Sequence, residues 1–476
     1  MKTRESLLLL MVGFALPLAG GVRAQECPVE LGFTAPVFDV TQRAPFRVLA
    51  SGPAVSQAPA LVFETDPSGG DAVEVLLERL HGDGTTLDGQ YVRVASDRID
   101  PPGAAAPGKD GQPDFRFAPN DPETEDCFEA IEDCSPFDAV NVYYHIDRMA
   151  TVFWRDRMGI NPDFQADVVT HISGDGAFAD PARDLIKLGV GWTFMRNAAK
   201  EDEIIYHEYT HLVSARLGFI LDIHSPVQAQ ALSEGYADYF AATFTEDPRI
   251  GEWIVTCPDR QHCEGPPNDT EIRTLDTDPT VWNWVGGNPA TNLKYGVCTR
   301  FHEGDRKCKT SWNNFVPRYT WAIIWGSLLW DLREELGPDV VDFIALEAMR
   351  RSDGSAETLE RAAGRLVEAD ELLFAGAHGE QIGRAATARG ITVSTAVEGL
   401  PEAPVGLSAY PLPASGGLTV DGAPTSPVRI FDASGRLVAV LPPAASRRWE
   451  FGGAPPGLYF LRWEGSAKAV PVVVVR

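Results

Sequence analysis

His207, Glu208 and His211 stand in the order His-Glu-x-x-His within Glu203 to Leu217, a stretch with helical patterning. Residues four apart share a helix face, so the two imidazoles can grip one divalent cation. Glu208, turned round the barrel, then faces the water on that cation. The chemistry of such a set is hydrolysis, with the cation acidifying the water and the carboxylate taking its proton. The plainer alternative is a pair of packed, hydrogen-bonded histidines beside Tyr206 and Leu212.

A catalytic zinc needs three protein ligands and one open position, so a third donor is required. Position 217, six residues after His211, is Leu, which excludes the three-histidine form of the motif. His224 and Glu234 are the downstream candidates. Glu234 lies in Leu232-Ser233-Glu234-Gly235-Tyr236-Ala237-Asp238, which reads as the start of a helix with Ser233 as N-cap. Asp238 falls four residues later on the same face, where it can accept the free N–H of a ligand imidazole. That favours Glu234, and His224 reads as a solvated loop residue.

The elements that must position these groups are set by apolar spacing. Val140, Val142, Tyr143, Ile146, Met149, Ala150 and Phe153 recur at three and four residues, predicting an amphipathic helix that ends before Gly159. Val168 to Ile172 and Leu185 to Leu188 read as strands around Ser173-Gly174-Asp175-Gly176, and Ala60 to Glu64 and Gln90 to Val94 as earlier strands. Helices are expected over Tyr319 to Leu336, Pro338 to Arg350 and Ala356 to Glu368, with Trp321, Trp325 and Trp330 as core. Strands preceding helices give an α+β fold class.

Beyond Gly390 the composition shifts. Residues 396–406 are rich in Pro and Gly without a period and read as a linker. Short strands come next: Leu418 to Val420, Val428 to Phe431, Leu437 to Val440, Tyr459 to Arg462 and Val470 to Val475, predicting a small all-β sandwich over 407–476. The chain therefore divides into five parts. They are a leader over 1–24, a β-rich region over 25–118, a catalytic domain over 119–395 to which that region is partly joined, the linker, and the sandwich.

The leader reads as a signal peptide: Lys2 and Arg4, the apolar run Leu7 to Leu18, then Val22-Arg23-Ala24. No later stretch approaches the roughly twenty apolar residues of a membrane span. Export suits the cysteines, since Cys127 and Cys134, Cys257 and Cys263, and Cys298 and Cys308 fall into three close pairs with Cys27 left over. Disulfides are the first reading of those pairs and metal thiolates the second. A net charge of -26 argues against nucleic-acid binding and against docking on anionic membrane. It fits a solvated acidic surface, or calcium held by groups such as Asp121, Glu123, Glu125 and Asp126, although no EF-hand loop surrounds them.

His207-Glu208-Tyr209-Thr210-His211 followed by Glu234-Gly235-Tyr236-Ala237-Asp238 resembles the gluzincin metallopeptidases, nearest to the fungalysin-like branch and more distantly to thermolysin. Phe137 to Arg148 and Ser327 to Arg333 are similar to helices flanking that branch's active site. The resemblance implies a zinc endopeptidase acting on protein or peptide substrates, with a zinc-binding helix pair. His207, His211 and Glu234 would be its ligands, Glu208 its general base, and Asp238 would orient a ligand histidine. Where the family commonly has an oxyanion-stabilising histidine, eleven residues before the counterpart of Trp330, this chain has Tyr319; His302 is a rival for that role. Where thermolysin-like enzymes carry an Asn-Ala pair on a substrate-binding edge strand, the chain reads Gly176-Ala177-Phe178. These departures motivate the alternative of a non-catalytic secreted surface or binding protein on a degenerate peptidase scaffold. A further alternative, residues 25–118 as an inhibitory propeptide, conflicts with the strand run Leu87 to Val94, which belongs with the catalytic region.

The tail resembles the type A sorting domain of the type IX secretion system through Ala409 to Ser415, Val428 to Val438 and Pro456 to Leu461. This implies the type IX secretion machinery as a partner and an extracellular or outer-surface location. A plain carbohydrate-binding or adhesive sandwich is the other reading of those strands.

Overall fold

The computed structural model describes residues 56–120, 134–254, 271–277, 296–299, 307–310, 317–393 and 407–474, apart from short breaks within them. The signal-peptide, linker and propeptide readings, and the residues Cys27, Cys127, His224, Cys257, Cys263 and His302, fall wholly or partly outside these stretches. So do Asp121, Glu123, Glu125 and Asp126.

In chain order the strands of the first part are β1 (Ser56–Val62), β2 (Val73–Leu80), β3 (Val92–Ser96), the two-residue β4 (Ala106–Pro107) and β5 (Pro113–Asp114), β6 (Ala166–Ile172), β7 (Ala177–Asp180) and β8 (Leu185–Gly189). Two short pairs lie further on: β9 (Arg249–Ile250) with β10 (Arg273–Thr274), and β11 (Gly296–Thr299) with β12 (Lys307–Thr310). The helices are α1 (Pro136–Arg148), α2 (Asp202–Arg216), α3 (Val227–Thr245), α4 (Pro317–Leu336), α5 (Pro338–Arg351), α6 (Leu359–Phe374) and α7 (Gly379–Ala388). The content is mixed helix and sheet, of the α+β kind. Among the described residues no helix is long and apolar enough to cross a membrane.

β1 and β2 form an antiparallel hairpin, of which the sequence pattern revealed only the first strand. The main sheet has the order β3-β6-β8-β7, with β3, β6 and β8 parallel and β7 antiparallel at the edge. α1 begins at Ser135, whose Oγ accepts from Phe137 N at 3.1 Å, with Pro136 at the first helical position where its missing N–H costs nothing. It runs on into a π-helix, Met149–Arg157, whose wider turn lets the adjacent Phe153 and Trp154 both bury completely. The chain then turns near Gly159 at φ 70, a left-handed conformation that glycine adopts without penalty.

One apolar core joins β1, the main sheet and helices α1 to α7, from Ala58 to Ile391. Trp321, Trp325 and Trp330 belong to it. Three helices meet at the centre, α2 packing on α3 and α3 on α4. The closeness of α3 and α4 depends on Gly235: a Cβ there would stand 2.8 Å from Ala322 O and 3.0 Å from Trp325 Cβ.

The last strands are β13 (Leu407–Tyr410), β14 (Gly417–Gly422), β15 (Val428–Asp432), β16 (Leu437–Leu441), β17 (Ser446–Glu450), β18 (Gly457–Trp463) and β19 (Val470–Val474). They form two antiparallel sheets, β13-β14-β17 and β16-β15-β18-β19. Leu418, Val420, Ile430, Trp449, Leu461 and Val472 lie in a second, smaller core between them. Alternation along β18 sends Tyr459 and Leu461 into that core, while Phe460 packs against the larger one, 5.2 Å below the Arg350 guanidinium. At Gly457 a Cβ would come 2.9 Å from Gly159 Cα, so the two backbones touch there.

Candidate metal centre

α2 is held by Ile204, Ile205, Tyr209, Leu212 and Val213 against the core, which turns His207 and His211 toward α3. Leu217 caps it, and Gly218 at φ 107 redirects the chain. α3 starts at Val227, two turns before the expected start at Ser233. Val-Gln-Ala-Gln-Ala-Leu is a run that propagates a helix, and Pro226 stands just outside it. Ser233 is therefore buried in a helix interior rather than capping an end, and its Oγ lies 3.2 Å from His211 Nδ1.

The structure brings His207, His211 and Glu234 together. Nε2 of His207 is 3.1 Å from Nε2 of His211 and 3.2 Å from Glu234 Oε2, and His211 Nε2 is 3.8 Å from the same oxygen. Ligand atoms about 2.0–2.2 Å from a tetrahedral zinc stand about 3.3–3.6 Å from one another, so the triangle matches one ion in size. The ring orientation agrees with this. His207 Nδ1 donates to Asp238 Oδ1 at 2.8 Å, which leaves Nε2 as the nitrogen turned toward Glu234. His224 lies outside the described residues.

Electrostatics favour a cation at this point. Burial works against a charge on His207, but Asp238, Glu234 and Glu208 outweigh it and lift its pKa to about 10. Burial likewise opposes ionisation of Glu234 and Asp238. The two imidazoles hold Glu234 well below the usual carboxylate range, and Arg273 with His207 lowers Asp238. With both imidazoles neutral, as ligands must be, ionised Glu208, Glu234 and Asp238 against Arg273 leave two negative charges, the complement of one divalent ion.

Glu208 is also buried, and burial raises its pKa against the pull of His207 and His211. A carboxylate moved toward neutral pH is better placed to accept and return a proton.

Arg273 is the residue that sequence reasoning missed. It donates from Nε to Asp238 Oδ2 at 2.8 Å and from Nη2 to Asp238 Oδ1 at 2.7 Å, a two-pronged clamp 35 residues away in sequence. Its Nη1 is buried without a hydrogen-bond partner among the described residues. The guanidinium lies 5.5 Å from the Tyr319 ring. Tyr319 itself opens α4, its Oη accepts from Arg318 Nη2 at 2.9 Å, and burial together with the charge of Glu234 pushes its pKa well above the usual value. It therefore keeps its proton at neutral pH.

Gly176 precedes β7 at φ 91 and Ala177 opens that edge strand, so no Asn side chain reaches from it. Of the cysteines, Cys134 is disulfide-bonded. The backbone sets Cys298 directly opposite Cys308 in the β11–β12 pair, where Cα atoms lie about 4.5–5.5 Å apart, within the span of a disulfide.

A second buried cluster sits at the start of the same helix. Glu201, Asp202 and Glu203 offer carboxylate oxygens within 4.8 Å of one another. Glu201 Oε1, Asp202 Oδ1 and Glu203 Oε2 are buried without hydrogen-bond partners among the described residues. Burial, joined by repulsion from neighbouring carboxylates including Asp66, raises all three pKa values, that of Glu201 to about 8.

No family model matches the chain, and no curated protein matches it. Among solved structures, the chain is similar to the precursor of protealysin, a metalloproteinase from Serratia proteamaculans. The TM-score is 0.38 and the identity 13%, over 54% of this chain and 79% of that one. So distant a likeness carries no weight for the site, whose reading rests on its own side chains.

Proposed function

We propose that this chain is a zinc-dependent endopeptidase of the gluzincin kind. One observation carries the reading: two imidazole Nε2 atoms and a carboxylate oxygen converge within 3.1–3.8 Å, backed by Asp238 and Ser233 at Nδ1 and bordered by the buried carboxylate of Glu208. His207, His211 and Glu234 would hold the ion, which supplies Lewis acidity toward a peptide carbonyl and acidifies an adjacent water. Glu208 takes the proton of the attacking water and returns it to the leaving amine. Tyr319 keeps a proton to donate, and the free N–H of Arg273 is a second donor near Glu234; either can meet negative charge developing on the carbonyl oxygen.

The lysine- and arginine-led apolar N-terminus and the sorting-domain motifs of the tail support an exported protein handled by the type IX secretion machinery. Its substrates are proteins or peptides.

The test is a casein and peptide-library assay on the purified chain with its metal measured. We expect about one zinc per chain, chelator-sensitive cleavage, and loss of cleavage by roughly a thousandfold in Glu208→Gln with zinc retained, the order that removal of an essential proton carrier produces. Absence of stoichiometric zinc would sink the reading. Zinc with no turnover on any substrate would favour the binding-protein alternative.

A further inference from the structure

The two ligand imidazoles are backed by groups of different kinds. His207 leans on Asp238, an ion locked in place by two hydrogen bonds from Arg273. His211 leans on a neutral hydroxyl, the Oγ of Ser233, at 3.2 Å. Ser233 occupies the interior of α3, where serine is a mediocre helix former and its hydroxyl has no end to cap. It is buried, with 6% of its surface exposed, so its oxygen is not simply hydrated. It also immediately precedes Glu234.

The geometry points to Ser233 as a positioning residue: its hydroxyl accepts the Nδ1 proton of His211, and so presents the Nε2 lone pair to the zinc. The inference rests on the zinc reading above. A neutral acceptor polarises an imidazole less than a carboxylate does, so His211 is the ligand more easily displaced and Ser233 sets how firmly it stays. α3 thus contributes at two adjacent positions, a direct ligand and the support of another. The motif helix α2 supplies the two imidazoles but neither of their Nδ1 partners.

The full-length chain with Ser233→Ala and with Ser233→Thr tests this. Zinc affinity is measured by competition with a chromogenic chelator, the visible spectrum is recorded after cobalt substitution, and the metal-free melting temperature is recorded alongside. Removing an outer partner of a ligand histidine costs ten- to hundredfold in metal affinity as an order-of-magnitude expectation. We expect a loss of that size and altered cobalt bands in Ser233→Ala, with an unchanged metal-free melt, since alanine suits a helix interior. Ser233→Thr, which keeps a hydroxyl, should stay near the unsubstituted chain in both readouts. The inference is overturned if Ser233→Ala holds zinc as tightly as the unsubstituted chain with the same spectrum, or if Ser233→Thr loses as much as Ser233→Ala. An unsubstituted chain that takes up no zinc would fail at the earlier step and bring down the peptidase reading itself.

Discussion

Two groups of buried carboxylates flank the same helix, one at its start and one packed beside its histidines, and they end in opposite states. At the start of α2, Glu201, Asp202 and Glu203 are pushed toward protonation, although the positive end of the helix dipole favours their charge. Beside His207 and His211, Glu234 and Asp238 of α3 are pushed toward ionisation, although Asp238 is fully buried and Glu234 largely so. Burial is the largest influence in both places and acts in the same direction. What differs is the company: two imidazoles and a clamped guanidinium in one cluster, chiefly other carboxylates in the other. Depth alone does not decide whether a carboxylate is charged; the nearest partner does.

Removing the compensation should strip the histidine-backed cluster of its advantage. Asp238→Ala leaves Arg273 charged and buried without its partner, a change worth about 3–5 kcal/mol in stability. Chemical denaturation of the metal-free protein measures it, and a loss below about 1 kcal/mol, the worth of an ordinary surface pair, would show that the clamp is not what holds this centre together. Gly235→Ala perturbs the approach of α3 instead. Its Cβ meets Ala322 O and Trp325, so an overpacking cost of about 1–3 kcal/mol is expected, along with weaker zinc binding as Glu234 shifts. A variant of unchanged stability and affinity would show that α4 yields freely.

A third effect belongs to the uncompensated cluster and depends on pH. The folded protein holds the Glu201 proton more tightly than the unfolded chain does. The resulting stability is full below about pH 4.5 and is lost as pH rises through about 8. Glu201→Gln, which cannot ionise, should flatten that fall across the span from about pH 4.5 to about 8. Melting curves of both proteins across that range would expose an error if their slopes coincide.

The parts of the centre that were legible are those set by short-range helical spacing. His207 with His211, and Glu234 with Asp238, are i and i+4 pairs, and a period of about 3.6 can be read without a partner in view. Arg273 was not legible because it reaches Asp238 from a two-residue strand with no period of its own. Ser233 was misread for a related reason. A serine before an acidic helical run looks like an N-cap unless the preceding Val227 to Leu232 are weighed as helix formers. The apolar spacing of α1, α4 and α5 announced those helices. α7, with only Ile382 and Ala386 buried, carried too short a stripe to be seen.

The contact of the last sheet with the rest of the chain has a consequence for anything that separates them. Phe460 faces outward from its own sheet and is covered by the larger core, with Gly159 and Gly457 meeting backbone to backbone beside it. Cutting away residues 407–476 therefore does not release a passive tag. It leaves a footprint on both pieces, an uncovered aromatic ring on one and, on the other, a bare glycine turn beside an Arg350 guanidinium stripped of the ring it covered.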